Sequence, residues 1–450
     1  MSEELIFNEI ENNRDEYIEF FRELIQTDSY NPPGNEKNVA LIIKKYLKKS
    51  NIKSDIFPFG DNRANLIAYL KDGFDGRILL YNGHMDVVPP GNEEEWKYPP
   101  LSATIKRKKY IYGRGSTDMK GGLAAMVIAL KILKKLELEI SGNLILNAVA
   151  DEETGGNYGT KWCIDNELKS IKPHFAIVSE PTRLKPLTHC ISVGERGRLV
   201  IKIITNGIST HSNWPFMGKN AIYMMSEIIQ NLEKIDKHIP KIKPPFSFEE
   251  LKKLMSVSFP SLEALERVLN EQSFLKNVLK ALTQFTKSLT IIKGGIKDNV
   301  VPDKCEAYID FRLLPDQKIE PIINGLKKLI EEDVGYNVKS EPVGDPEEVF
   351  VYLENVQYSE PSFWKDWKKS STLKNFYGIV EKAYNEKPYY FLFPASADTS
   401  HLRNDGYCPE TIMFGPGSGA TAHSTDENIE IEDFINAIKV YTLFAYEFLK

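Results

Sequence analysis

Apolar residues recur at two spacings along the chain, one typical of helices and one typical of strands. Helical spacing runs through residues 8–26 and 36–49, which Asn31-Pro32-Pro33-Gly34 separates, and through residues 122–135. Short apolar runs predict strands at residues 64–70, 77–81, 144–150, 175–178 and 411–414. Because strands and helices are interspersed, we predict an α/β structure with a mixed central sheet flanked by helices.

The middle of the chain follows a second pattern. Its predicted order is strand, helix, strand, strand, helix and strand, at residues 198–205, 220–235, 288–293, 306–313, 319–332 and 348–353. This βαββαβ order is that of a ferredoxin-like α+β unit, which is a complete small domain. We therefore predict a large domain formed by residues 1–193 and 358–450, interrupted by an inserted domain at residues 194–357. Residues 236–286 do not fit this order and are expected to form an extra helical excursion of the small domain.

Composition excludes several classes of protein. A chain of 450 residues with 42% hydrophobic and 27% charged residues is typical of a globular protein of two domains. The 57 basic and 63 acidic residues, a net charge of −6, leave no polycationic surface for nucleic acid. The acidic start differs from a signal peptide, no apolar run is long enough to cross a bilayer, and the four cysteines are scattered. These features predict a reduced, cytoplasmic protein that binds neither membranes nor nucleic acid.

Histidines and carboxylates lie at the ends of several predicted elements. The short phrases that carry them are Gly83-His84-Met85-Asp86, Ser116-Thr117-Asp118-Met119, Asp151-Glu152-Glu153, Ser179-Glu180-Pro181 and Ala422-His423-Ser424. Judged singly, each has an ordinary explanation as a strand end, a helix N-cap or a solvated loop. Together they offer imidazole and carboxylate ligands at the carboxyl ends of strands, where open α/β sheets bind ligands. Such a set suits two divalent cations such as zinc, so we predict a co-catalytic metallohydrolase.

Individual roles within this set are only partly determined by the residues themselves. Asp86, two positions after His84, can accept the second ring N–H of that histidine and fix its tautomer. Asp118, in the loop before the helix at residues 122–135, is either an N-cap or a bridging ligand. Of Glu152 and Glu153, one can ligate a metal while the other removes a proton from water, and the sequence alone does not distinguish them.

These phrases, in this order, resemble the M20 family of metallopeptidases and amidohydrolases over nearly the whole chain. That family includes acetylornithine deacetylase, succinyl-diaminopimelate desuccinylase, aminoacylase-1 and glutamate carboxypeptidase. The resemblance implies two zinc ions per subunit, with cobalt or manganese as possible substitutes. It also implies that His84 and Glu153 complete one metal site, that Glu180 and His423 complete the other, and that Asp118 bridges them.

The same resemblance implies the remaining roles in the large domain. Glu152 would be the general base, and Asp86 the partner of His84. In the family the bridging aspartate is followed by a cis peptide bond, which here would join Asp118 to Met119. The large domain would then be a zinc-peptidase-like catalytic domain, and the inserted domain a lid that forms the interface of a homodimer.

Three residues of the inserted domain resemble substrate-binding residues of the family. His211 resembles the histidine that reaches a partner subunit's active site and polarises the scissile carbonyl. Asn299 and Arg312 resemble residues that hold the oxyanion or the substrate carboxylate, although they could be only a turn residue and a strand-edge charge. We expect hydrolysis of an amide bond in an N-acyl amino acid, of the deacetylase or desuccinylase type. The alternatives are a metallo-carboxypeptidase or dipeptidase and, more remotely, a catalytically silent binding or scaffold protein.

Overall fold

Helices and strands are interspersed along the chain, as the apolar pattern predicts. A computed structural model describes residues 2–73, 75–342 and 348–450. The helices are α1 (Ser2–Asn12), α2 (Arg14–Gln26), α3 (Glu36–Lys48), α4 (Lys120–Lys135), α5 (Thr160–Asp165), α6 (Ala221–Asn231), α7 (Phe248–Met255), α8 (Leu262–Glu271), α9 (Ser273–Leu282), α10 (Ile319–Lys328), α11 (Ser371–Tyr384), α12 (Thr399–Arg403) and α13 (Ile431–Leu449). Among the described residues, no helix combines the length and the apolarity that crossing a bilayer requires.

The strands of the described residues form one large sheet, one five-stranded sheet, one three-stranded sheet of β19, β5 and β4, and one two-stranded ribbon of β10 and β12. They are β1 (Lys53–Pro58), β2 (Ala64–Tyr69), β3 (Ile78–His84), β4 (Thr104–Lys106), β5 (Tyr110–Tyr112), β6 (Asn143–Val149), β7 (Phe175–Val178), β8 (Cys190–Glu195), β9 (Gly197–Asn206), β10 (Thr210–His211), β11 (Thr286–Gly294), β12 (Val300–Val301), β13 (Lys304–Leu313), β14 (Val338–Lys339), β15 (Phe350–Ser359), β16 (Ser362–Phe363), β17 (Tyr389–Phe393), β18 (Thr411–Met413) and β19 (Asn428–Glu430). Each strand predicted from the apolar runs is therefore present, with ends that differ by a few residues.

The large sheet is mixed, as predicted, and its parallel centre positions the site described below. Its order is β1-β2-β6-β3-β7-β18-β8-β16, and β17 also pairs with β8. Strand β3 runs parallel to β6 and β7, and β7 runs parallel to β18. Every residue of β3, β6 and β7 is buried, because helices cover both faces of the sheet. Helices α4 and α13 pack over one face, whereas Cys163 of α5 and Leu402 of α12 belong to the apolar cluster on the other.

The smaller sheet has the predicted ferredoxin-like arrangement. Its order is β11-β13-β9-β15-β14; the first four strands pair antiparallel with one another, and β14 runs parallel to β15. Helices α6 and α10 supply apolar side chains to the core beneath it. The chain enters and leaves this domain on neighbouring strands, because Arg198 of β9 pairs with Ser359 of β15, and Glu195 of β8 pairs with Ser362 of β16. We call this domain the lid.

The helical segment between residues 236 and 286 corrects one expectation. It forms α7, α8 and α9, but it is not an excursion packed on the small domain. Its buried apolar residues, such as Leu251, Leu265 and Leu279, belong to the core of the large domain instead. The Phe246 ring, just before α7, meets those of Phe363 and Trp367 at centroid distances of 5.6 and 6.0 Å. We call α7–α9 the helical insert.

Candidate active site

Three parallel strands carry the candidate ligands to one edge of the large sheet. His84 is the last residue of β3, and Glu180 follows β7 by two positions. After β6, Asp151 adopts a left-handed conformation with φ 71° and begins a tight turn over Glu152–Thr154. Because β6, β3 and β7 are adjacent and parallel, the carboxylates that follow them converge on the imidazole of His84.

Asp118 lies at the centre of the cluster, with one oxygen toward each histidine. Its Oδ1 is 3.1 Å from His84 Nε2, and its Oδ2 is 3.2 Å from His423 Nε2. The N-cap position of α4 is Met119, with no side-chain capping bond, so the capping explanation for Asp118 does not apply. The peptide bond between Asp118 and Met119 is cis, which confirms the prediction. Asp118 therefore has the geometry of a bridging carboxylate.

The remaining contacts divide the ligands differently from the expectation. Glu180 Oε1 is 3.5 Å from His84 Nε2, and Glu153 Oε1 is 3.2 Å from His423 Nε2. The nearest contacts thus pair His84 with Glu180 and His423 with Glu153, in place of the expected pairing of His84 with Glu153 and of Glu180 with His423. The reason lies in the turn after β6, which carries the Glu153 carboxylate to the loop of His423.

Two overlapping groups of side chains could each hold a cation. His84, Glu152 and Glu180 offer ligand atoms that all lie within 4.8 Å of one another, and so do His84, Asp118 and Glu153. Glu152 lies farther from the histidine than Glu180 does, because its Oε2 is 4.0 Å from His84 Nε2. Imidazole nitrogen and carboxylate oxygen are the donors that zinc and related divalent ions accept, so the residues fit such a centre.

Asp86 supports the cluster in a way that the sequence did not indicate. The His84 Nδ1 contact is to the backbone carbonyl of Asp86 at 2.9 Å, while the nearer carboxylate oxygen is at 3.6 Å. The carboxylate instead accepts the backbone N–H groups of Glu152 and Glu153, at 3.3 and 3.2 Å, and the side-chain amide of Asn31 at 2.9 Å. Asp86 thus fixes the His84 tautomer through its main chain and holds the glutamate turn through its side chain.

The cluster is electrostatically demanding because several carboxylates share a buried space. Burial raises the pKa of Glu152 well above its ordinary value, and the neighbouring charges of Glu180 and Glu153 raise it further. Hydrogen bonds to Asp118 and then Glu153 raise the pKa of His423 to about 10. Burial disfavours the anion of Asp118, but the hydrogen bonds from His423 and His84 outweigh it and lower the Asp118 pKa. The site therefore stabilises positive charge between its carboxylates.

A buried ion pair behind the cluster was missed by the sequence analysis. Arg114 donates to Glu427 at 2.7 Å, and both side chains are almost fully buried. The other Glu427 oxygen accepts the backbone N–H groups of Thr117 and Asp118, at 2.8 and 3.0 Å. Arg114 also donates to the His423 carbonyl at 3.4 Å. The Arg114–Glu427 pair thus positions Asp118 and His423. In the sequence, each member of the pair appears only as one charged residue in a glycine-rich or polar loop.

The cluster opens into a cavity of about 800 Å³ between the large domain and the lid. The cavity wall includes Asp118, Glu152, Glu153, Glu180 and His423, together with Arg198 and Arg312 of the lid. Arg198 was also missed; it pairs across the lid sheet with Arg312. The two guanidinium groups share Asp310, each donating to one of its oxygens through Nε at 2.7 Å. Two positive charges thus meet one negative charge, which leaves the end of the cavity formed by the lid cationic.

The other two predicted substrate residues lie elsewhere on the lid. His211 and Asn299 are neighbours at the β10–β12 ribbon, where the Ser212 N–H donates to the Asn299 carbonyl at 3.0 Å. Neither residue lines the cavity of its own subunit. His211 is exposed, and its Nδ1 accepts the Asn213 N–H at 3.1 Å, so a neutral ring carries its proton on Nε2.

Comparison with known proteins identifies the class to which this fold and site belong. A family model for peptidase family M20/M25/M40 matches residues 80–447. A probable succinyl-diaminopimelate desuccinylase from Staphylococcus aureus (strain MSSA476) is 30% identical over 438 residues, covering 97% of this chain and 98% of that protein. An N-formyl-4-amino-5-aminomethyl-2-methylpyrimidine deformylase from Halalkalibacterium halodurans is 26% identical, covering 99% and 97%. The solved structure of an M20 family metallo-carboxypeptidase from Sulfolobus solfataricus aligns with a TM-score of 0.76 at 22% identity, covering 96% of this chain and 99% of that one.

The chain belongs to peptidase family M20/M25/M40. It is a metal-dependent hydrolase that acts on amide bonds, which confirms the family and the reaction class expected from the motifs.

Proposed function

We propose that the protein removes the acyl group from a small N-acyl amino acid by hydrolysis of its amide bond. The observation that carries this proposal is that one cavity contains both the imidazole–carboxylate cluster and the paired guanidinium groups of Arg198 and Arg312. A cavity of about 800 Å³ suits a small molecule. The paired guanidinium groups at its other end match a free substrate carboxylate. The relatives named as a desuccinylase and a deformylase support deacylation.

Within this site, His84 and Glu180 would hold one zinc ion, His423 and Glu153 would hold the other, and Asp118 would bridge them. The nearest contacts of the five side chains support this division. When bound, the two ions would polarise the scissile carbonyl and lower the pKa of the attacking water. Cobalt or manganese would serve as substitutes, because neither imidazole nor carboxylate selects strongly among these ions.

Glu152 would move the proton during the reaction. It lines the cavity beside the proposed ligands Glu153 and Glu180, and a carboxylate can both take and return a proton. It would accept a proton from the attacking water and deliver it to the amine nitrogen as the C–N bond breaks. Arg312, with Arg198 beside it, would hold the substrate carboxylate and so place the amide against the cluster.

A metallo-carboxypeptidase or dipeptidase activity is the second candidate. The same carboxylate-binding arginines would serve a peptide with a free C-terminus, and the solved carboxypeptidase shares the fold. A panel of N-acetyl and N-succinyl amino acids and unmodified dipeptides, assayed with zinc or cobalt, decides between the two. Faster turnover of dipeptides than of every N-acyl amino acid would contradict deacylation.

Replacement of the proposed base tests the mechanism directly. We expect Glu152→Ala to lower kcat by roughly 10²–10⁴-fold, the usual contribution of general acid–base catalysis. Metal content should stay at the wild-type level, since the five proposed ligands remain. Glu94→Ala, at an exposed glutamate outside the cavity, is the control. Wild-type turnover by Glu152→Ala would show that another group moves the proton.

We propose further that two copies of the chain pair through the lid, so that His211 acts in the partner's active site. In the single chain His211 lies outside the cavity, and the residues after it are apolar and unusually exposed. Trp214 is 63%, Phe216 100% and Met217 75% exposed, with the helical insert in place. Such a patch favours a protein interface. His211, with its proton on Nε2, would then donate to the carbonyl oxygen of the bound substrate.

Subunit mixing tests this arrangement. Glu152→Ala and His211→Ala homodimers should each be nearly inactive, whereas a mixed dimer regains one working site because one subunit supplies an intact Glu152 and the other an intact His211. Exchange is followed independently with differently labelled subunits. An active monomer in dilute solution, or exchange without recovery of activity, would contradict action in trans.

A further inference from the structure

The helical insert supplies part of the cavity wall, although it lies within the chain of the lid. Residues Phe274 and Val278 of α9 line the same cavity as Glu152 and Arg312. The residues that follow them on α9, Leu275 and Leu279, are buried in the core of the large domain. Because Phe274 and Val278 are four residues apart on one helix, their side chains lie next to each other. The insert thus presents a short apolar face to the cavity.

Phe274 is an exposed aromatic residue of α9. Its side chain is 59% exposed, whereas the leucine that follows it is almost completely buried. An exposed aromatic ring contributes little to the stability of a helix, and one that faces a cavity is typical of a ligand-binding wall. The large domain supplies further apolar residues to the lining of the same cavity, namely Leu184, Tyr389, Phe391 and Phe393.

A buried guanidinium fixes the end of the insert relative to the lid arginines. Arg196, between β8 and β9, donates through Nη2 to the Gln284 carbonyl at 3.0 Å and to the Arg312 carbonyl at 2.8 Å. Gln284 lies just after α9, so the same side chain contacts the end of the insert and the strand that holds Arg312. The apolar wall and the cationic end of the cavity are therefore held in a defined relation to each other.

We propose that the helical insert selects substrates with an apolar group, and that Phe274 is the specificity-determining residue. This inference rests on the proposed function: the cluster receives the amide, the lid arginines receive the carboxylate, and the apolar wall receives the acyl chain or side chain. Phe274 contacts a part of the substrate that does not react. Its contribution is thus to binding, which changes KM more than kcat.

The test compares Phe274→Ala with Leu262→Ala, which removes an exposed apolar side chain of α8 that does not line the cavity. Substrates are N-acetyl and N-hexanoyl derivatives of alanine, leucine and phenylalanine. Loss of one apolar contact of about 1.5 kcal/mol corresponds to about a tenfold fall in kcat/KM. We expect that fall, mainly through KM, for the bulky apolar substrates with Phe274→Ala, and less than a twofold change for N-acetylalanine. Leu262→Ala should behave as wild type. Equal effects of Phe274→Ala on all substrates, or none, would overturn the inference.

A binding measurement separates this inference from the proposed function. Isothermal titration with 4-phenylbutanoate, a carboxylate joined to an apolar ring, needs no turnover. Wild type and Leu262→Ala should bind it about tenfold more tightly than Phe274→Ala, and acetate should not distinguish the three proteins. If no N-acyl amino acid is hydrolysed but this difference is found, deacylation fails and the apolar wall stands. Equal affinities for 4-phenylbutanoate refute the wall whatever the enzyme hydrolyses.

Discussion

The buried pair of Arg114 and Glu427 should control both stability and metal affinity, and Glu427→Gln tests this. The substitution keeps the shape of the side chain and one carbonyl oxygen. That oxygen can still accept the N–H groups of Thr117 and Asp118, now as bonds between neutral groups. The new amide NH₂, however, faces the Arg114 donor across a distance of 2.7 Å and cannot accept its hydrogen bond. Arg114 is left buried, with the carbonyls of Ser424 and His423 as its main partners.

The expected magnitude follows from these contacts. Breaking a buried ion pair typically costs about 3–5 kcal/mol. Burial raises the pKa of Glu427 even though Arg114 lowers it, so the wild-type carboxylate already bears a desolvation cost that the amide avoids. We therefore expect a loss of about 2–3 kcal/mol in the free energy of unfolding of the metal-free protein. Because Asp118 and His423 lose their support, metal affinity should fall by roughly 10–100-fold.

Urea unfolding followed by tryptophan fluorescence measures the first effect, and metal titration with a competing chelator measures the second. The control is Glu432→Gln, which makes the same chemical change five residues later, at an exposed ion pair with Arg14. Exposed pairs contribute less than about 1 kcal/mol, so this variant should resemble wild type in both assays. Equal stability of the two variants together with unchanged metal affinity of Glu427→Gln would refute the reasoning.

Two further predictions concern metal and pH. Chelation should abolish turnover and lower the melting temperature, and addition of zinc or cobalt should restore both. Elemental analysis should find less metal in His423→Ala than in wild type. It should find the full amount in His174→Ala, the control at an exposed histidine outside the cluster. Burial raises the pKa of Glu195, the last residue of β8, from an ordinary 4.5 to about 7, with Arg403 opposing the shift. A raised folded-state pKa stabilises the fold at low pH and loses that contribution as pH rises from about 4.5 through 7. The difference in unfolding free energy between wild type and Glu195→Gln should therefore change over that interval, and parallel pH profiles in denaturant titrations would contradict it.

The elements that carry the site were predictable because their burial is uniform. Strands β3 and β6 are covered on both faces, so each appears as a predominantly apolar run, interrupted in β6 by the buried Asn147, that ends at a polar group. Strand β8 was missed because Ser192, Gly194 and Glu195 interrupt its apolar pattern. These residues are buried for reasons that the pattern does not show: the Ser192 hydroxyl donates to a backbone carbonyl, and the Glu195 carboxylate accepts from Ser362 and Ala397.

Features that depend on long-range geometry were beyond the sequence. The amphipathic pattern of α9 shows that one face is covered, but it does not show whether the lid or the large domain covers it. Likewise, ligand types at strand ends predict a metal centre, whereas the division of Glu153 and Glu180 between the histidines depends on the turn that Asp151 begins. The role of Asp86 changed for the same reason, because its main chain and its side chain face different partners.

The position of α13 has a consequence for synthesis of the protein. This helix packs against α4 and contributes Phe434, Tyr441 and Phe444 to the same apolar core as β3. The Tyr81 hydroxyl donates to the Tyr441 carbonyl at 2.6 Å, so a buried hydrogen bond joins β3 to α13. At about 5–20 residues per second, the ribosome needs on the order of 10–50 s to make the chain between β8 and α13. During that interval α13 does not yet cover the apolar face of α4. The exposed face favours aggregation of the nascent chain or its binding to chaperones.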